Sequence, residues 1–191
     1  MSFGLETGEQ WLFGFLKRAA ERFELDVLAQ DAKVTSSALA MLDPHVGAWA
    51  GRMSTWLMPG DPYDVQDVTS TAQWSLGGKF LKRTFSGRFL NQPFEAVCFL
   101  GHDDGEGQYV AVWMDSATTA MMPLKGGQDA ATKTLTMGGS IRLVDITGTH
   151  LDVRMILAMD DNDHWRCEIS LGRLGIYFKA HQIDLTRVTT A

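Results

Sequence analysis

Apolar and polar residues alternate along most of the chain with the two-residue period of strands buried on one face and wetted on the other. In the run 150–160, Leu151, Val153, Met155, Leu157 and Met159 share one parity. In the run 164–171, Trp165, Cys167, Ile169 and Leu171 share one parity, and His164, Arg166, Glu168 and Ser170 share the other. The pattern predicts strands near 47–57, 64–76, 79–89, 94–100, 108–115, 118–124, 132–138, 140–147, 150–160, 164–171 and 175–187, with one or two of these merging or failing. Turn residues punctuate the runs at Pro59-Gly60-Asp61-Pro62, Gly77-Gly78, Asn91-Gln92-Pro93, Asp103-Asp104-Gly105, Gly126-Gly127 and Gly138-Gly139. Connections this short favour antiparallel hairpins, because parallel strands need crossovers of roughly a dozen residues. The expected fold is mainly β: a closed antiparallel up-and-down barrel of about ten strands, since closure removes the edges that such a sheet would otherwise expose.

The front of the chain has a different period. Leu12, Phe15, Leu16, Ala19 and Phe23 form one helical stripe within 7–28, and Thr7 with Gln10 has the spacing of a capping box. This helix either caps its own domain or forms a dimer or partner contact, so a homodimer is one expectation. A second short helix from Ser36 to Leu42 is stopped by Asp43-Pro44. The expected organisation is a helical extension over 1–36 followed by a barrel domain over 37–191.

Length and charge narrow the function classes. A chain of 191 residues with 45% hydrophobic and 21% charged content is sufficient for one sizeable core. The net charge of −6 argues against nucleic acid and against anionic membrane surfaces as partners. No run reaches the roughly 18 apolar residues of a membrane-spanning helix. No basic segment precedes an apolar run at the N-terminus, so a soluble, cytoplasmic protein is expected. Cys98 and Cys167 sit in alternating apolar runs without metal-ligand spacing, and are read as buried reduced thiols.

Catalytic motifs are sparse. Gln73-Trp74-Ser75-Leu76-Gly77 lacks the first glycine of a nucleophile elbow and stands between strands. Asp160-Asp161-Asn162-Asp163-His164 lacks the closing glycine and distant glutamate of a calcium loop, and is read as a solvated hairpin turn; His102-Asp103-Asp104 is read likewise. The five histidines show no ligand spacing, and neither a metal nor a cofactor is expected. Six tryptophans are the unusual feature. They either fill the barrel or line a cavity for a small apolar or aromatic molecule. Tyr109, Trp113 and Asp115 fall on one strand face, and with Trp74 they form the expected wall of a ligand pocket. Asp115 is alternatively an acid or base, against a structural role in which turn amides bind its carboxylate.

Two resemblances follow from particular residues. Gly47-Ala48-Trp49-Ala50-Gly51 resembles the Gly-x-Trp opening of calycin barrels, the lipocalin-like group that binds small apolar molecules. More specific are Trp74-Ser75-Leu76-Gly77-Gly78-Lys79-Phe80-Leu81, then Tyr109-Val110-Ala111-Val112-Trp113-Met114-Asp115-Ser116, with Leu135-Thr136 and Phe178-Lys179 following. Over 37–188 these look like the bacterial family called domain of unknown function 1579, which usually has Gly-Tyr-Asp where this chain has Gly101-His102-Asp103. That resemblance implies a calycin-like barrel and no particular activity. By analogy with nitrobindin, another barrel with a Gly-x-Trp opening, haem binding is the alternative function and needs an inward axial histidine. In the last strand, Ile176, Phe178 and Ala180 share the apolar parity, which turns His181 outward beside Lys179 and predicts that it ligates no haem. A bulge would reverse that parity, and Ile183 on the parity of His181 hints at one.

Overall fold

Among the described residues the alternating runs become ten strands: β1 (Gly47–Thr55), β2 (Asp64–Ser75), β3 (Phe80–Phe89), β4 (Gln92–Asp103), β5 (Gln108–Asp115), β6 (Met122–Gln128), β7 (Leu135–Arg142), β8 (His150–Met159), β9 (His164–Arg173) and β10 (Ile176–Arg187). The structure is a computed structural model that describes residues 37–129, 131–142 and 150–189, together with Arg18. The chain divides into two units, Met1–Ser36 and Ser37–Ala191, and the second holds all ten strands. Apart from Arg18, the helix expected over 7–28 lies outside the described residues. Every strand pairs antiparallel with its sequence neighbours, and β1 pairs with β10 to close the barrel. No helix among the described residues is long and apolar enough to cross a membrane.

Three details differ from the sequence pattern. The strand expected at 118–124 starts later, at Met122. Among the described residues the runs 132–138 and 140–147 contribute a single strand, Leu135–Arg142. Gly126-Gly127 and Gly138-Gly139 lie inside β6 and β7 and are not turns. A Cβ on Gly126 would sit 2.0 Å from the Thr136 carbonyl oxygen, and one on Gly139 2.3 Å from that of Pro123. These glycines allow β6 a close backbone approach to its neighbour β7, the strand-interior use of the residue.

A helix α1 (Ser37–Ala40) and a 3-10 turn (Asp43–His45) lead into β1 and plug one end of the barrel. Pro44 within that turn ends the helical run, as its fixed φ and missing N–H require. His45 is the hub. Its carbonyl accepts Trp49 Nε1 at 3.1 Å and Arg83 Nη2 at 2.9 Å, and its Nδ1 accepts Trp165 Nε1 at 2.9 Å. The Arg83 guanidinium lies 4.2 Å from the Trp165 ring centroid and donates to Ser70 Oγ at 3.2 Å. Arg187 stacks over Trp49 at 4.2 Å and donates to the Val46 carbonyl at 2.6 Å. Gly47 makes room for it: its φ is +135°, and a Cβ there would lie 2.6 Å from Arg187 Nη1. Burial together with the two arginines lowers the His45 pKa to about 3, so the plug imidazole is neutral. Burial also lowers Arg83 to about 9. This half of the barrel is filled, leaving a void of only about 20 Å³ among residues that include Arg83, Cys98, Trp165 and Cys167. Such a void accommodates a single water. Both cysteines are free and buried, as their alternating runs predicted.

Candidate functional site: an apolar cavity at the open end

Among the described residues, nothing fills the half of the barrel away from the plug. A cavity of about 240 Å³ lies there, walled by Met53 of β1, Phe89 of β3, Phe94 of β4, Met122 of β6, Ile141 of β7 and Ile169 and Leu171 of β9. Trp113 and Asp115 of β5, His181 and Ile183 of β10, and Ala117 and Thr118 beyond β5 complete the lining. A wider hollow of about 680 Å³ lies over the outer face of β2–β5, where Thr69, Thr84, Lys82 and Glu95 contribute to its walls. That hollow gives less apolar enclosure, and none of the aromatic residues of the barrel interior except Phe85 reaches it. The inner cavity is therefore the better candidate. Around its mouth the connecting segments expose Leu57, Met58, Tyr63, Met121 and Leu174, and the first residue of β10, Ile176, is exposed as well.

The β5 parity follows the sequence pattern. Tyr109, Ala111 and Trp113 are buried, and Asp115 follows on the same face. Trp113 Nε1 donates to Asp115 Oδ2 at 2.8 Å. Asp115 Oδ1 accepts the amides of Ala117 at 3.0 Å and Thr118 at 3.1 Å. Both carboxylate oxygens are thereby engaged in shaping the β5–β6 turn and in orienting the indole. The Trp113 ring packs against Phe85 with centroids 5.1 Å apart.

Only two of the four residues expected to line a pocket do so. Trp113 and Asp115 line the cavity; Trp74 and Tyr109 belong to the plugged end. Trp74 Nε1 donates to Asp43 Oδ1 at 2.9 Å, and the Tyr109 hydroxyl donates to the Ala38 carbonyl at 3.0 Å. Tyr109 also meets His102 edge-on at 5.1 Å. β5 spans the height of the barrel, so residues on one of its faces reach opposite ends.

His181 is a correction. It is not outward: it lines the cavity, and burial lowers its pKa, opposed by the charge of Asp115. The cause is a bulge. Lys179 pairs with Ser170 and His181 with Ile169, so Ala180 is left without a partner on β9. One extra residue reverses the parity of everything after it. Phe178, opposite Leu171, keeps the inward parity assigned to it, and beyond the bulge His181, Ile183 and Leu185 point inward while Lys179 stays outside against Glu168 at 3.1 Å. The His181 ring meets Phe89 edge-on at 5.7 Å, and its Nδ1 lies 3.2 Å from Thr55 Oγ1. Sequence reasoning missed Thr55 and His181 as site residues. Ile183 on the parity of His181 was the signal for His181; no sequence signal marked Thr55.

The remaining motifs are structural. Asp161 Oδ1 accepts the amides of Asp163 and His164, both at 2.8 Å, and closes the β8–β9 turn. Ser75 ends β2, and its carbonyl accepts the Gly78 amide in a strand-to-strand turn. Among the described residues no group of three or more histidine, cysteine, aspartate or glutamate side chains is placed to hold a metal ion.

A closed ten-stranded antiparallel barrel, plugged at one end and hollow at the other, defines the class of protein. The chain belongs to the family described as Protein of unknown function (DUF1579), whose model matches residues 35–187. No curated protein matches the chain. The crystal structure of Rv2717c from M. tuberculosis is similar in fold, with a TM-score of 0.58 and 19% identity over 81% of this chain and 99% of that one.

Proposed function

We propose that the protein is a non-enzymatic binder of a small apolar or aromatic molecule held at the open end of the barrel. The observation that carries this reading is the cavity of about 240 Å³, which three aromatic side chains help to enclose while the opposite half is packed solid. An engineered apolar cavity of about 150 Å³ binds benzene, so the volume here suits one or two rings. Asp115 supports this reading over an acid–base enzyme, because its oxygens are committed to Trp113, Ala117 and Thr118. Native mass spectrometry of the purified protein and a thermal-shift panel of hydrophobic ligands test it. A co-purifying small molecule or a clear upward shift is expected; the absence of both removes the proposal.

The inward His181 lends support to the haem alternative, because it supplies the axial imidazole that reading requires. The cavity volume weighs against it, since a porphyrin would have to project far through the mouth. Titration with haem is expected to give no Soret band of a histidine-ligated complex. A band that disappears in His181→Ala would reverse that preference.

A further inference from the structure

Building on the ligand-binding reading, we propose that the cavity selects an uncharged ring-bearing molecule with one hydrogen-bonding group, of the phenol, naphthol or indole kind. That group meets the His181 imidazole, and carboxylates are rejected. The walls set the ring preference: Phe89, Phe94 and Trp113 present aromatic surface to the space, with Phe89 already edge-on to His181. The polar groups set the rest. Asp115 already accepts the indole N–H on Oδ2 and two backbone amides on Oδ1. Among the described residues His181 makes one hydrogen bond, through Nδ1 to Thr55 Oγ1, which fixes the ring and leaves Nε2 for a ligand.

The charge around the cavity decides the sign of what it accepts. Among the described residues no lysine or arginine lines it, and its one ionised group is the Asp115 carboxylate. Arg173, two residues beyond Leu171 on β9, is exposed outside the lining. An anionic headgroup inside would be desolvated beside a carboxylate with no countercharge, which is strongly unfavourable. A hydroxyl or ring N–H instead finds a fixed imidazole. A hydrocarbon gains the apolar contacts but leaves the His181 Nε2 without a partner, and a buried polar group left unpaired is costly.

Three probes of one shape separate the outcomes: 2-naphthol, naphthalene and 2-naphthoate, titrated into the full chain by calorimetry. The expected result is that 2-naphthol binds about tenfold tighter than naphthalene and that 2-naphthoate does not bind. In His181→Leu the difference between 2-naphthol and naphthalene should vanish. Should that variant fail to fold, nitrogen NMR of the unaltered protein serves, with the His181 Nε2 resonance moving on addition of 2-naphthol and staying in place with naphthalene. Equal binding of 2-naphthol and naphthalene, or tightest binding of 2-naphthoate, overturns the selectivity and leaves the ligand-binding reading intact. Binding of none of the three overturns both.

Discussion

Thr55 Oγ1 and His181 Nδ1 face each other at 3.2 Å across the β1–β10 pairing, and this contact exists because Ala180 bulges out of register with β9. Thr55 is almost fully buried, so each partner of the pair depends on the other for its hydrogen bond. Thr55→Val and His181→Leu are each expected to cost about 1–2 kcal/mol, since each leaves the other group unpaired. The double variant should cost less than their sum, with a coupling of about 1 kcal/mol in urea unfolding. Strict additivity would mean that the two side chains do not interact.

Stability should fall as pH drops below about 6.5. His45 moves from an ordinary value of 6.5 down to about 3 through burial, with Arg83 and Arg187 adding repulsion, and His181 shifts in the same direction. The unfolded chain therefore binds protons that the folded chain refuses. The contribution is complete above 6.5 and is lost on the way down to about 3, at up to about 1.4 kcal/mol per pH unit for each histidine. Melting temperatures between pH 7 and pH 4 should show this slope, and His45→Gln, which keeps an acceptor for Trp165, should reduce it. An unchanged slope in that variant would contradict the assignment.

Adjacent glycines in β6 should respond oppositely to alanine. At Gly126 the new Cβ would meet the Thr136 carbonyl oxygen at 2.0 Å, a backbone atom that cannot rotate away, whereas at Gly127 nothing lies within 4 Å. Gly126→Ala is expected to destabilise by about 3 kcal/mol or more, whereas Gly127→Ala, in open space and without a positive φ, should stabilise by up to about 1 kcal/mol. Denaturant midpoints for the two variants decide it, and similar values would mean that the close β6–β7 approach is wrong.

The thiols should be inert in the native protein. Burial pushes Cys98 up to about 12 and Cys167 in the same direction, and both side chains lie in the packed half of the barrel. A thiol-reactive chromogenic reagent is expected to label neither cysteine natively and both in denaturant. Rapid native labelling would show that this half of the barrel opens.

The alternation of apolar and polar residues was enough to specify a closed antiparallel barrel, because which side chains share a face is a local property of each strand. On the same ground the shared face of Tyr109, Trp113 and Asp115 and the buried cysteines were legible in the amino-acid sequence alone. Three things were not. The orientation of His181 depends on how β10 pairs with β9, and the unpaired Ala180 is defined only by that partner. Gly126 and Gly139 had the chemistry of turns, and only the approach of a neighbouring strand shows why a Cβ is excluded there. The division of the barrel into a packed half around Arg83 and Trp165 and a hollow half at His181 depends on the summed volume of side chains from strands far apart in sequence. Periodicity reports which face a residue occupies; how far along the barrel axis it lies, and what stands opposite it, arise only when the strands close.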